Sequence, residues 1–115
     1  MMEHKDDVKI HAFLGMTSMC WGTHELAREA QAETAGDPFN GDWYVFCGYM
    51  RRKIKILYWE KNGFCLWQKK LEQARFPWPI KERGIRQLTR EELGLILRGI
   101  NIWKEHKEIE YKKFF

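Results

Sequence analysis

Apolar and polar residues alternate along two runs in the middle of the chain, residues 53–59 and 64–71, and the dipeptide Asn62-Gly63 separates them. Both residues of Asn-Gly tolerate the positive φ angles of a tight turn between twisted strands, so the pattern predicts a β-hairpin. Side chains alternate across a strand, and one face of the hairpin therefore collects the residues expected to meet the core. These are Ile54, Ile56, Tyr58, Cys65, Trp67 and Leu71, interrupted only by Lys69.

The opposite face of the hairpin is predicted to be half apolar and half cationic. Its apolar side chains cluster near the turn and comprise Leu57, Trp59, Phe64 and Leu66. Its polar side chains gather at the far end and comprise Lys53, Lys55, Gln68 and Lys70. A slip of one strand by a single residue would invert half of these assignments, so the turn decides which side chains share a face.

The segments before the hairpin predict two more strands and a helix. Residues 8–14 have a β-leaning pattern that ends at a glycine, and residues 43–47 form a second strand-like run. Between them Thr23 stands near the N-cap of a helix, which breaks at residues 35–38. The apolar stripe of this helix comprises Leu26, Ala27 and Ala30. A turn at residues 48–52 then gives a three-stranded antiparallel meander, with the first strand available as a fourth.

After the hairpin the sequence predicts an extended belt and a second helix. Two prolines keep residues 75–79 out of the helical region, so this segment should lie over the sheet. Thr89 and Glu92 form a capping box, and Gly99 is expected to end the helix. Its apolar stripe comprises Leu93, Ile96, Leu97 and Ile100. Residues 104–115 are either a charged tail or a late edge strand. The predicted fold is a single α+β domain over residues 1–115, an antiparallel meander of three to four strands packed against two helices.

Charge is concentrated in the middle of the chain. Residues 1–47 hold three Lys or Arg against eight Asp or Glu, residues 48–90 hold twelve against three, and residues 91–115 hold five against five. A polyanion is a natural partner for such a segment, because each cation that meets a phosphate releases condensed counterions. The alternative is that these cations only solvate an exposed sheet and protect its edges. The candidate nucleic-acid-binding residues are Arg51, Arg52, Lys53, Lys55, Lys69, Lys70 and Arg75.

Composition limits the remaining functional classes. A hydrophobic content of 44% with 15% aromatic residues is typical of a folded protein. No apolar run approaches the roughly 18 residues that span a bilayer, and the N-terminus lacks the apolar centre of a signal peptide, so we expect a cytoplasmic protein. Cys20, Cys47 and Cys65 are widely spaced, which favours free thiols over a zinc site built with His11 or His24. Without clustered carboxylates either, we predict no metal, no cofactor and no catalysis.

Several motifs, in order, resemble one family of transposon proteins. They are RKIKILYW at residues 52–59, NGFCL at 62–66, KLE at 70–72 and RFPWP at 75–79. The resemblance begins at Asp37-Pro38-Phe39 and continues to Gly99-Ile100. It is to the accessory protein, often called TnpB-type, encoded by the second open reading frame of bacterial transposons of the insertion sequence 66 family.

This resemblance implies a role in moving a DNA element, alongside a separate and larger transposase that supplies the strand-transfer chemistry. It implies no activity for the accessory protein itself. Two hypotheses for its action follow from the residues. In the first, the basic end of the hairpin contacts the DNA backbone or docks on an acidic surface of the transposase. Trp59 and Phe64, near the hairpin turn, are available to stack on unpaired bases, although aromatic residues at such positions are more often part of the core. Alternatively, the protein is an adaptor without DNA contact, whose apolar patch binds the transposase or a second copy. That patch comprises Leu57, Trp59, Phe64 and Leu66.

One stretch departs from the family pattern. Residues 17–22 read TSMCWG where a TDMRKS-like sequence is expected. An acidic and two basic side chains are thereby replaced by Ser18, Cys20 and Trp21. If those charges bind a partner in relatives, that contact is changed in this chain, and no family role is carried over to residues 17–25.

Overall fold

A five-stranded mixed sheet with two helices forms the fold in the computed structural model, which describes residues 7–103. Along the chain the elements are β1 (Ile10–Phe13), α1 (Thr23–Thr34), β2 (Trp43–Cys47), β3 (Lys53–Glu60), β4 (Gly63–Lys70), β5 (Ile85–Leu88) and α2 (Arg90–Leu97). The strand order across the sheet is β4-β3-β2-β1-β5. The α+β class and the two helices are confirmed. The predicted tail or edge strand at residues 104–115 lies outside the described residues.

The meander formed by β2, β3 and β4 is antiparallel, as predicted. Tyr44 of β2 pairs with Leu57 of β3, and Trp59 of β3 pairs with Phe64 of β4. The predicted hairpin is present, but its turn lies one position earlier than Asn62-Gly63. Glu60 pairs with Gly63, and Lys61, rather than Asn62 or Gly63, has a positive φ of 53°. The prediction of a wholly antiparallel sheet is wrong, because β1 runs parallel to β2, with Ile10 opposite Trp43. Neighbouring parallel strands need a crossover connection, and α1 supplies it between β1 and β2.

The strand β5 was not predicted from the sequence. It pairs antiparallel with β1, placing Leu88 opposite Ile10 and Ile85 opposite Phe13. It has four residues, and its two apolar side chains pack on opposite faces of the sheet, Ile85 on the α1 side and Leu88 on the α2 side. Such a short segment offers no repeated one-sided alternation, which is the signal that identifies a strand in a sequence.

The helix α1 covers one face of the sheet. Leu26 and Ala30 are fully buried, as their predicted stripe requires, and they pack with side chains of β1, β2 and β3. The buried members of this cluster are Phe13, Leu26, Ala30, Tyr44, Phe46 and Leu57. The helix begins one residue earlier than predicted, with Gly22 as N-cap, and the Gly22 amide donates to Glu25 Oε1 at 2.9 Å.

The helix α2 and the extended belt cover the other face. Phe76 and Trp78 of the belt are buried in the core, and Trp78 Nε1 donates to the carbonyl oxygens of Phe13 at 3.3 Å and Gly15 at 3.1 Å. The predicted belt over the sheet is thus confirmed. The buried cluster on this face of the sheet comprises Ile10, Ala12, Trp43, Val45, Cys47, Ile54, Ile56, Phe76, Trp78, Leu88, Leu93, Ile96 and Ile102.

The ends of α2 follow the predicted capping signals. The Glu92 amide donates to Thr89 Oγ1 at 3.0 Å, and the Thr89 amide donates to Glu92 Oε1 at 2.9 Å, which completes the capping box. Gly99 adopts a left-handed φ of 86° just past the helix end, a conformation that favours glycine. The assignment of Ile100 to the buried stripe is wrong. Its exposed fraction is 44%, because the helix ends at Leu97, and Ile102 is buried instead.

Candidate nucleic-acid interface

The turn between β2 and β3 lies at one end of the sheet and carries the first candidate residues. It is closed by a bond from the Gly48 amide to the Lys53 carbonyl at 3.1 Å and by another from the Arg51 amide to the Gly48 carbonyl at 3.0 Å. Arg51 has a left-handed φ of 59°. Because β3 and β4 are antiparallel, the end of β4 lies beside this turn, with Lys70 directly opposite Lys53.

The segment after β4 is fastened to the same turn through the backbone. The Leu71 amide donates to the Arg52 carbonyl at 2.7 Å, and the Phe76 amide donates to the Arg51 carbonyl at 2.6 Å. The Arg52 guanidinium returns a bond to the Glu72 carbonyl at 2.8 Å. These bonds bring a further cation, Arg75, to this end of the sheet. The resulting surface, here called the basic end, comprises Arg51, Arg52, Lys53, Lys70 and Arg75.

The positive charges of the basic end have no carboxylate partners within the described part of the chain. Contacts between a basic side chain and a carboxylate in these residues join His11 Nε2 to Asp42 Oδ2 at 2.9 Å and Arg86 to Glu92 at 3.0 Å, and none involves the basic end. Like charges placed directly opposite on neighbouring strands repel, and this applies to the Lys53 and Lys70 pair. The basic end therefore has positive charge available for an anionic ligand.

Lys55, predicted to bind nucleic acid, is instead used inside the protein. Its side chain is buried, with 7% exposed, and Nζ donates to the carbonyl oxygens of Met19 at 2.9 Å and Trp21 at 3.0 Å. Burial lowers the pKa of Lys55 below its ordinary value, and the nearby charge of Lys53 lowers it further. We therefore leave Lys55 out of the candidate surface, because its ammonium group fastens residues 19–21 to the sheet.

Lys69 also has an internal partner. Its Nζ donates to the Leu97 carbonyl at 3.0 Å, at the C-terminal end of α2. Unpaired carbonyls and the helix dipole make this end of a helix favourable for a cation. The contact explains why a lysine interrupts the apolar face of β4, since the side chain reaches along the core and caps the helix that covers it. Lys69 is likewise left out of the candidate surface.

The apolar patch predicted to bind protein is largely covered by α1. Leu57 is fully buried in the α1 cluster, and Phe64 and Leu66 are half-buried against that cluster. Trp59 meets Phe64 edge to face with ring centroids 5.0 Å apart. Phe39, which was not predicted to join this pair, lies on it with its ring centroid 4.9 Å from that of Trp59, and 54% of the residue is exposed. What stays accessible is a small aromatic cluster at the hairpin turn, remote from the basic end.

Two exposed apolar side chains beside the basic end were not predicted as part of a site. Tyr49 is 69% exposed and Met50 is 57% exposed, and both belong to the turn between β2 and β3. The signal was their position in a turn, where large apolar residues cannot pack into a sheet core.

The described residues hold no group of three or more His, Cys, Asp or Glu side chains that could bind a metal ion. All three cysteines are free thiols, and burial raises the pKa of Cys47 to about 12, so this thiol stays protonated at neutral pH.

Neither described helix is long and apolar enough to cross a membrane.

Comparison with known proteins decides the family. The sequence model of a family described as "IS66 Orf2 like protein" matches residues 8–107, which include the whole sheet, both helices and the basic end. The chain belongs to the IS66 Orf2-like family. The resemblance seen in the sequence motifs is thereby confirmed, and membership indicates an accessory role in transposition.

The IS66 Orf2-like protein is also similar to two uncharacterized proteins of Sinorhizobium fredii. It is 30% identical to y4hO over 108 residues, which cover 94% of this chain and 93% of that protein. It is 30% identical to y4jC over 92 residues, which cover 80% of this chain and 78% of that protein. No solved structure is significantly similar to the chain.

The stretch that departs from the IS66 Orf2-like pattern lies against the basic end. The Thr17 amide donates to the Cys47 carbonyl at 2.9 Å, next to the turn, and Lys55 holds the carbonyls of Met19 and Trp21. Trp21 packs half-buried against the α1 cluster. Residues 17–19 thus line the border of the candidate surface, beside Arg52, Lys53 and Lys70.

Replacing Lys55 by methionine is expected to destabilise this IS66 Orf2-like protein. Lys55→Met leaves two carbonyl oxygens without their donor, and an unsatisfied buried polar group costs about 1–3 kcal/mol. The free energy of unfolding, measured by urea denaturation, should fall by that amount.

Lys53→Met is the matched control, since it removes the same charge two residues away on the same face of β3. Its effect on the free energy of unfolding should stay within about 0.5 kcal/mol, as for other surface substitutions. Equal losses in the two variants would contradict the internal role of Lys55.

Proposed function

We propose that this protein is a non-catalytic accessory factor of DNA transposition that binds DNA through its basic end, beside a separate transposase. The observation that carries the proposal is the group of five cations at one end of the sheet, none of them paired with a described carboxylate. Two cations of the original candidate set are bound to carbonyls inside the fold. With Lys55 and Lys69 removed, the candidate surface has five cations, two fewer than the sequence suggested.

Contacts from the basic end to DNA would be made mainly to phosphates. Lysine offers a point charge, whereas arginine can hold a phosphate with two parallel hydrogen bonds. One nitrogen of the Arg52 guanidinium donates to the Glu72 carbonyl, and this bond fixes the orientation of the group. Phosphate contacts position a protein on DNA without reading its sequence. The proposed contribution is therefore affinity and placement, with sequence choice left to other parts of the transposition complex.

DNA binding is predicted to weaken steeply with salt. If each of the five cations meets one phosphate, the logarithm of the binding constant should fall with the logarithm of salt concentration at a slope of about −4.5. Replacing two of them in the Lys53→Gln, Lys70→Gln double variant should make that slope shallower by about 2. Fluorescence anisotropy of labelled duplex DNA between about 50 and 200 mM salt measures both slopes.

The control carries the same change of net charge at the other end of the strands. Lys9 precedes β1 and Lys61 lies in the hairpin turn, and both side chains are exposed. The Lys9→Gln, Lys61→Gln double variant should keep the wild-type slope. Equal effects of the two double variants would show that only net charge matters, and absence of binding at the lowest salt would contradict the proposal.

The adaptor hypothesis retains one specific observation in its favour. Phe39 is more than half exposed and packs on Trp59 and Phe64, so the three rings form an apolar cluster that is partly open to solvent. If this cluster docks on the transposase, Phe39→Ser should lower capture of purified transposase at high salt, where phosphate contacts are screened. Tyr49→Ser, an exposed aromatic at the opposite end, is the control and should leave capture unchanged. Unchanged capture by Phe39→Ser would remove the adaptor hypothesis in this form.

A further inference from the structure

A cavity of about 460 Å³ opens beside the basic end. Its apolar lining comes from Met19, Tyr49 and Met50, and its polar rim includes the cations Arg52, Lys53 and Lys70. Pockets that bind small organic groups are typically apolar, with a few well-placed polar side chains, and their volumes begin at about 300 Å³. The cavity therefore combines a surface for a flat apolar group with charges for an anion.

One wall of the cavity depends on a glycine. Gly48 is buried, and a Cβ at this position would lie 2.6 Å from Met19 Cγ, closer than such atoms approach. The absence of a side chain lets Met19 pack against the backbone of the turn. The buried Lys55 ammonium donates to the carbonyl of the same methionine. The apolar wall is thus fixed by the backbone and by a buried cation, whereas Tyr49 and Met50 extend from the turn into solvent.

We propose that this cavity binds an unpaired base of DNA, stacked on Tyr49, while the neighbouring phosphates lie on Lys53, Lys70 and Arg52. This inference rests on the proposed DNA binding and specifies the form of DNA that the site prefers. An aromatic ring accepts the face of any base, and such stacking is a principal source of affinity in single-strand binders. A base within an intact duplex is stacked on both sides and cannot enter the cavity.

The charge arrangement favours this occupant over a neutral one. Lys53 and Lys70 lie directly opposite on neighbouring strands with no described carboxylate between them, so an anion bound by both would relieve their repulsion. A nucleotide carries such an anion, its phosphate, on the same sugar as its base. A purely apolar ligand would fill the methionine wall but would leave the two ammonium groups unpaired.

The test compares two labelled oligonucleotides of equal length, oligothymidine and an abasic strand with the same phosphates. Binding is followed by fluorescence anisotropy at one moderate salt concentration. Stacking of one base contributes roughly a 5- to 150-fold gain in affinity, so oligothymidine should bind more tightly by that factor. Tyr49→Ala should abolish the preference while leaving the abasic affinity unchanged. Tyr49→Phe, which keeps the ring, should retain the preference.

Each outcome separates this inference from the proposed function. If both strands bind equally with steep salt dependence, DNA binding stands and the base-binding cavity is refuted. If neither strand binds at low salt, the base-binding cavity is refuted, and the duplex titration described above decides whether DNA binding stands. A Tyr49→Ala variant that loses equal affinity for both strands, or that loses only capture of the transposase, would also overturn the cavity as a base site. Because Tyr49 is 69% exposed, these variants should fold, and circular dichroism checks that they do.

Discussion

Burial of the sheet on both faces is the constraint on which the rest of the structure depends. All five residues of β2 are buried, because α1 packs on one face and α2 with the belt packs on the other. A strand in this position has no solvent face for charged side chains. Polar groups within the layers must therefore find partners there, and unpaired charges are confined to the ends and edges of the strands. Trp78, with its indole nitrogen shared between two backbone carbonyls, shows how the belt meets this requirement.

The same constraint gives the two ends of the hairpin different characters. At the turn between β3 and β4 an aromatic cluster of Phe39, Trp59 and Phe64 is partly open to solvent. At the far end the cations of β3, β4 and the following segment collect around the turn after β2. In the proposed role the charged end meets DNA. In the adaptor hypothesis the aromatic end, which is partly open to solvent among the described residues, makes a contact with protein instead.

Local signals in the sequence were sufficient for much of this fold. The hairpin, the capping box at Thr89 and the prolines of the belt each depend on backbone geometry over a few residues, and the structure confirms these three elements. The turn of the hairpin differs in detail, because its positive φ falls on Lys61 and not on Asn62 or Gly63. Long-range partners were not visible in the same way. The parallel pairing of β1 with β2 depends on where α1 packs, and β5 is recognisable only once β1 offers it an edge.

Which of the candidate cations have partners inside the fold could not be predicted, for the same reason. Alternation along β3 placed Lys53 and Lys55 on one face, and both were expected to be available. Which of them faces solvent depends on residues 19–21, more than 30 positions away, whose carbonyls accept from Lys55. Lys69 likewise donates to a carbonyl at the C-terminal end of α2, which is distant in the sequence. Tyr49 became a candidate only when the structure placed it beside a cavity rather than in an ordinary turn.

The measurement that most directly tests the central claim is a nuclear magnetic resonance titration of the isotope-labelled protein with DNA. The account predicts that backbone amide shifts change in the turn at residues 48–53 and in residues 70–75, with the hairpin turn at residues 60–63 unaffected. Shift changes centred on Phe39 and the hairpin turn, or none at any DNA concentration, would contradict DNA binding by the basic end.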